Sequence, residues 1–166
     1  MIYSIMYYGF ELLLALVRAN RKIPVLRLPA HKKSKGTVVK MLEVGLKGEQ
    51  SEIVTADKTA AAMGSGTLPV YATPAMIALM EKTAMLSVSG ELSEGQCTVG
   101  TKLEIEHLSA SAEGSRITCE SCLTEIDRRR LVFKVTAYDK CGVIGTGKHE
   151  RFIVDSEKFI EKAKNK

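Results

Sequence analysis

At 166 residues, with 45% hydrophobic and 26% charged side chains, the chain fits one globular domain plus an appendage. Its net charge of +5 belongs to the first quarter: residues 1–40 hold eight Lys and Arg against Glu11, a surplus of seven, which leaves residues 41–166 at −2. That balance excludes a basic folded domain built for nucleic acid; the one basic run, Arg128-Arg129-Arg130, reads as the solvated tip of a hairpin.

Residues 1–40 read as a leader. Ile2 to Val17 is mostly apolar but broken by Glu11, and it is short for a membrane span of roughly 20 residues. Its positive charges, Arg18, Arg21 and Lys22, follow the apolar run, whereas a secretory signal carries them in front. Two readings fit: a disordered product of upstream translation with Met41 as the biological start, or a membrane-associated segment. In the second, the trailing bases hold residue 41 onward in the cytoplasm. Membrane contact is expected only through this leader. A cytoplasmic location also suits four cysteines with no disulfide framework. Cys119 and Cys122 form a lone CxxC in an expected strand, where positions three apart point to opposite faces and make neither a zinc site nor a redox pair.

Residues 41–166 read as a complete small domain. A first strand is expected around Gly48–Thr55, a short helix at Thr59–Met63, and a loop at Gly64-Ser65-Gly66-Thr67-Leu68-Pro69. An apolar helix follows over Pro74–Val88, with Thr73 as its N-cap and Pro74 as its first residue. Its run Ala75-Met76-Ile77-Ala78-Leu79-Met80 is apolar all round, which predicts burial on most sides. Four alternating strands come next: Thr98–Leu108, Arg116–Asp127, Leu131–Asp139 and Val143–Val154. In the first, Val99, Leu103 and Ile105 share a face that His107 continues. Leu131, Phe133, Val135 and Ala137 share another. Asp155 caps a closing amphipathic helix, Ser156–Lys166, anchored by Phe159 and Ile160.

This order is an α+β pattern, an antiparallel sheet of about five strands wrapped around a central buried helix. So small a sheet covers one side of that helix, and a second copy of the chain is the natural cover for the rest. Three polar groups interrupt the apolar pattern. Thr73 sits at the helix start, Glu81 within the apolar helix, and His107 at the end of a strand's apolar face. Buried polar groups are costly without partners. A hydroxyl, a carboxylate and an imidazole together supply nucleophile and acid/base chemistry near neutral pH. Thr73 and Glu81 stand eight positions apart, about 12 Å along a regular helix. The substrate therefore lies between them, or the site combines residues across a dimer interface. Gly145, Gly147, His149 and Arg151 share one strand face, where paired glycines signal either close helix packing or room for a ligand.

Three motifs in order, Val70-Tyr71-Ala72-Thr73-Pro74-Ala75-Met76-Ile77-Ala78-Leu79-Met80-Glu81, Val99-Gly100-Thr101 with Ile105-Glu106-His107, and Gly145-Thr146-Gly147-Lys148-His149-Glu150-Arg151, resemble the fluoroacetyl-CoA-thioesterase-like branch of the hotdog thioesterases. The resemblance runs through most of residues 41–166 and leaves residues 1–40 uncovered. It implies a hotdog fold, a homodimer and hydrolysis of a small acyl-CoA thioester to free acid and coenzyme A. Coenzyme A is then part of the substrate; no cofactor and no metal is implied. The family's Thr, Glu and His map to Thr73, Glu81 and His107. Gly64-Ser65-Gly66-Thr67 replaces the aromatic residues of the fluoroacetyl specialist, and Pro74 replaces its Gly, removing one backbone donor.

In this reading the helix N-terminus polarises the thioester carbonyl through the N–H groups of Ala75 and Met76. Glu81 with His107 activates water, or activates Thr73 for an acyl-enzyme. Gly145, Gly147, His149 and Arg151 are candidates for substrate binding. Two other classes stand beside it: a non-catalytic acyl-CoA-binding module, which needs no polar triad, and a hotdog dehydratase or hydratase.

Overall fold

The computed structural model describes residues 41–166; the reading of residues 1–40 as a leader lies outside the described residues. The alternation in the second half of the chain builds one antiparallel sheet of five strands: β1 (Lys47–Ile53), β2 (Gln96–His107), β3 (Arg116–Asp127), β4 (Arg130–Asp139) and β5 (Gly142–Asp155). Their spatial order is β1-β3-β4-β5-β2. Tight hairpins join β3 to β4 and β4 to β5. The long connection from β1 carries the chain through helix α1 (Thr73–Ser89) to the opposite edge.

The inner face is apolar because the period-two pattern puts Ile117, Cys119 and Leu123 on one side of β3, and Leu131, Phe133, Val135 and Ala137 on one side of β4. All seven are fully buried, against the Met76, Leu79, Met80, Ala84 and Val88 side of α1. Cys119 faces inward, and Cys122 lies on the other face.

Two features depart from the sequence expectation. Thr59–Met63 is not helical. A 3-10 turn at Ala56–Lys58 precedes it, and Thr59 bridges Tyr71. The Tyr71 phenol donates to Glu52, which also binds Lys58, and the Ala72 N–H donates to the Lys58 carbonyl. These bonds tie the approach to α1 down by side chains that no local pattern reveals. The phase of β2 also differs. A bulge at Thr101 shifts the register against β5, so Thr98 and Gly100 face inward rather than Val99. Leu103, Ile105 and His107 then follow on the inner face, opposite His149, Gly147 and Gly145.

The expected burial of α1 on most sides is not met within one chain. Its far side, with Ala78, Lys82, Met85 and Leu86, faces outward, and Met85 and Leu86 stay 37% and 40% exposed. Helix α2 (Ser156–Lys164) is capped as expected, the Lys158 N–H donating to Asp155. Phe159 and Ile160 do not anchor it, being 43% and 53% exposed. Arg130, read as part of a solvated tip, instead pairs bidentately with Glu150 and with Glu125. Among the described residues no helix is long and apolar enough to cross a membrane.

Gly145 and Gly147 are consumed by packing rather than by a ligand. A Cβ at Gly145 would sit 2.6 Å from the Met76 sulfur, and one at Gly147 would overlap the Glu104 carbonyl of β2. Backbone cannot yield as a side chain can. Gly147→Ala is therefore expected to lower stability by about 1–3 kcal/mol, read as a fall of several degrees in the thermal midpoint. An unchanged midpoint would show that β2 is not held as closely as described.

Candidate active site

Helix α1 starts at Thr73, not after it. Ala72 is the extended N-cap residue, Pro74 holds the second helical position, and no side chain caps the end. The Thr73 hydroxyl is turned away from the backbone and lies 2.8 Å from His107 Nδ1. The pairing follows from topology. β2 lies at the sheet edge with His107 as its last residue, on the inner face opposite Gly145. The missing side chain of Gly145 lets Met76, and with it the first turn of α1, approach that end of the strand. The Nε2 atom of His107 is buried and has no hydrogen-bond partner among the described residues.

Four backbone N–H groups at a helix start lack intrahelical acceptors. Here the Met76 N–H donates to the Ala72 carbonyl at 3.0 Å, which corrects its expected role as an oxyanion donor. Pro74 has no N–H. That leaves the N–H groups of Thr73 and Ala75, neither of which takes a partner among the described residues. Thr73 and His107 open onto a cavity of about 320 Å³ lined also by Ala60, Ser65, Ser109 and Ala110.

Glu81 is not beside His107 in the same chain. Its carboxylate lies at the opposite half of α1, with Oε1 3.8 Å from both Arg151 Nη1 and His149 Nε2. Gly100 makes this possible. A Cβ there would lie 2.5 Å from Glu81 Oε1 and 3.2 Å from His149. Arg151 is buried and clamped to β2: Nε–H donates to Thr98 Oγ1 at 2.8 Å and Nη2–H to the Thr98 carbonyl at 2.7 Å. Its Nη1–H donates to His149 Nε2 at 3.0 Å, and His149 Nδ1–H donates to the Lys102 carbonyl at 3.0 Å. Burial pushes the His149 imidazole below its ordinary range, so it is neutral at pH 7. His149 has no exposed surface and both ring nitrogens are engaged, which corrects its expected role as a substrate contact.

The structure thus groups the expected residues into two clusters, Thr73 with His107 and Glu81 with His149 and Arg151. Thr98 and Gly100 join the second cluster and carried no expected role. A glycine inside a strand is the available signal for a bulge or a close approach. Thr98 had none, because its inward direction depends on the bulge. Among the described residues, no group of three or more His, Cys, Asp or Glu is placed to hold a metal ion.

Comparison with known proteins gives consistent results. The model of a family described as fluoroacetyl-CoA-specific thioesterase matches residues 54–157. The fluoroacetyl-CoA thioesterase of Streptantibioticus cattleyicolor is 34% identical over 97 residues, which cover 58% of this chain and 70% of that protein. A solved structure of the fluoroacetyl-CoA thioesterase FlK superposes with a TM-score of 0.72 at 30% identity, covering 76% of this chain and 98% of its own. A thioesterase superfamily member from Thermus thermophilus gives 0.70 at 26% identity, covering 76% and 93%. With strand order, central helix and sequence in agreement, this chain belongs to the fluoroacetyl-CoA-specific thioesterase family and is a hotdog-fold thioesterase.

Proposed function

We propose that this protein hydrolyses the thioester of a small acyl-CoA, adding water across the acyl–sulfur bond to release a free acid and coenzyme A thiol. The observation that carries this reading is the 2.8 Å pair of Thr73 Oγ1 and His107 Nδ1 at the mouth of a cavity, beside the N–H groups of Thr73 and Ala75. Those donors meet the oxyanion that develops on the thioester carbonyl, aided by the positive end of the helix dipole. His107 takes the proton from Thr73 or from water. Thr73, Glu81 and His107 are the proposed catalytic residues, and Arg151 binds the substrate's acyl end as well as Glu81.

The assembly in this proposal is a homodimer in the cytoplasm. A second copy covers the outward side of α1, where Met85 and Leu86 are exposed, and the open edge of β2 with Leu103. A twofold axis passing beside α1, with the two helices antiparallel, brings each Glu81 toward the partner copy's helix start and closes the gap of about 12 Å within one helix. Residues 41–166 carry the activity.

Thiol release from a series of short acyl-CoAs tests this. The expected result is turnover by a light-scattering dimer at micromolar concentration, with an equal rate from a chain that starts at Met41. Tight acyl-CoA binding without thiol release would replace the hydrolase by a binding module. A stable, active monomer would remove the shared site.

A further inference from the structure

His149 is a buried titratable group that the proposed chemistry does not use. It has no exposed surface, its side chain lies on the inner face of β5, and its cross-strand neighbours are Leu103 of β2 and Phe133 of β4. The groups around the ring are few and of fixed character. The Lys102 carbonyl lies 3.0 Å from Nδ1, Arg151 Nη1 lies 3.0 Å from Nε2, and Glu81 Oε1 lies 3.8 Å from Nε2. A carbonyl only accepts, so Nδ1 must carry a proton. A guanidinium only donates, so Nε2 must not. The two bonds together allow one form of the ring, neutral and protonated at Nδ1.

We propose that His149 is a positioning residue for Glu81, acting through Arg151 as a neutral Nδ1–H imidazole. This rests on the thioesterase reading, in which Glu81 acts in turnover. The ring accepts one Nη1–H bond of Arg151, and the two bonds to Thr98 fix the other side of the guanidinium. Nη1 is then held 3.8 Å from the Glu81 carboxylate, which reaches it over Gly100. The β2 bulge supplies the anchor. The Thr101 hydroxyl donates to the Glu150 carbonyl at 3.2 Å, and the Lys102 carbonyl accepts from the ring. A second proton on Nε2 would set two donors against each other and turn the ring toward the carboxylate, drawing Glu81 out of its position.

Two measurements on the full chain decide it. In 15N-histidine-labelled protein, the His149 ring should show a protonated Nδ1 and a bare Nε2 from about pH 5 to about pH 8. Gln places an amide oxygen near the Nε2 position, whereas Asn reaches only the Nδ1 position. His149→Gln should therefore keep kcat within ~3-fold of the parent, and His149→Asn should lose ~10-fold or more, the worth of one hydrogen bond to a charged group. KM for acyl-CoA should stay within ~2-fold in His149→Gln, because the ring does not touch substrate, and should rise in His149→Asn only as far as Arg151 loses its hold on the acyl end. An Nε2–H ring, a doubly protonated ring at neutral pH, or a folded His149→Asn variant with parental kcat would overturn the assignment. If the parent released no thiol, the hydrolase reading would fall, and the ring tautomer would still decide this inference.

Discussion

Glu81→Gln should lower kcat by at least ~10²-fold, the lower end for loss of an acid–base group, while acyl-CoA binding stays largely intact. The substitution keeps the size of the side chain and removes its charge. The structure adds a steric counterpart. Gly100→Ala would place a methyl group 2.5 Å from Glu81 Oε1 and displace the carboxylate without altering its chemistry. Both variants should therefore fall in kcat, and a third, Arg151→Gln, should fall with them because it removes the cation that faces Glu81. Steady-state kinetics with one short acyl-CoA, together with a binding isotherm for each variant, gives the readout. If Glu81→Gln turned over at the parental rate, Glu81 would be reduced to a partner of a structural arginine.

Thr73 offers the second large effect, because the two routes to hydrolysis part there. If Thr73 is the nucleophile, His107 accepts its proton across the 2.8 Å contact and the acyl group moves from sulfur to Oγ1. Thr73→Ala should then abolish the acyl-enzyme and nearly all turnover, and mass spectrometry of the quenched parent should find the acyl adduct on Thr73. If water attacks directly, Thr73 only orients His107 and the carbonyl. Thr73→Ser should then match the parent, and Thr73→Ala should leave a partial rate and no adduct in the parent. Thr73→Ala loses no N-cap on either route, since Ala72 occupies the cap position and no side chain caps the helix. His107→Ala should lose activity strongly on either route, since it removes the one side chain bonded to Thr73 Oγ1 among the described residues. A folded His107→Ala variant with parental kcat would separate the Thr73–His107 pair from catalysis.

The sequence by itself determined the class of this fold and the identity of its polar residues. Period-two alternation in Arg116–Asp127 and Leu131–Asp139 needs no tertiary information, because adjacent side chains on a strand must point to opposite faces. The same holds for the apolar run of α1 and for the cap at Asp155, which are local. Thr73, Glu81 and His107 stood out because each is polar where the local pattern is apolar. Tertiary structure alone decided which of them meet. A single bulge at Thr101 inverted the phase of the first part of β2, turning Thr98 and Gly100 inward, and no periodicity rule anticipates one inserted residue. Gly100 then admitted Glu81 to His149 and Arg151, while the edge position of β2 gave His107 to Thr73. The Thr73 hydroxyl likewise had two satisfactory partners in prospect, its own helix backbone or an imidazole 34 residues away in the chain. Local propensity favoured the first. Packing of α1 against the end of β2 selected the second, because a hydrogen bond follows the distance between groups in space and not their separation in sequence.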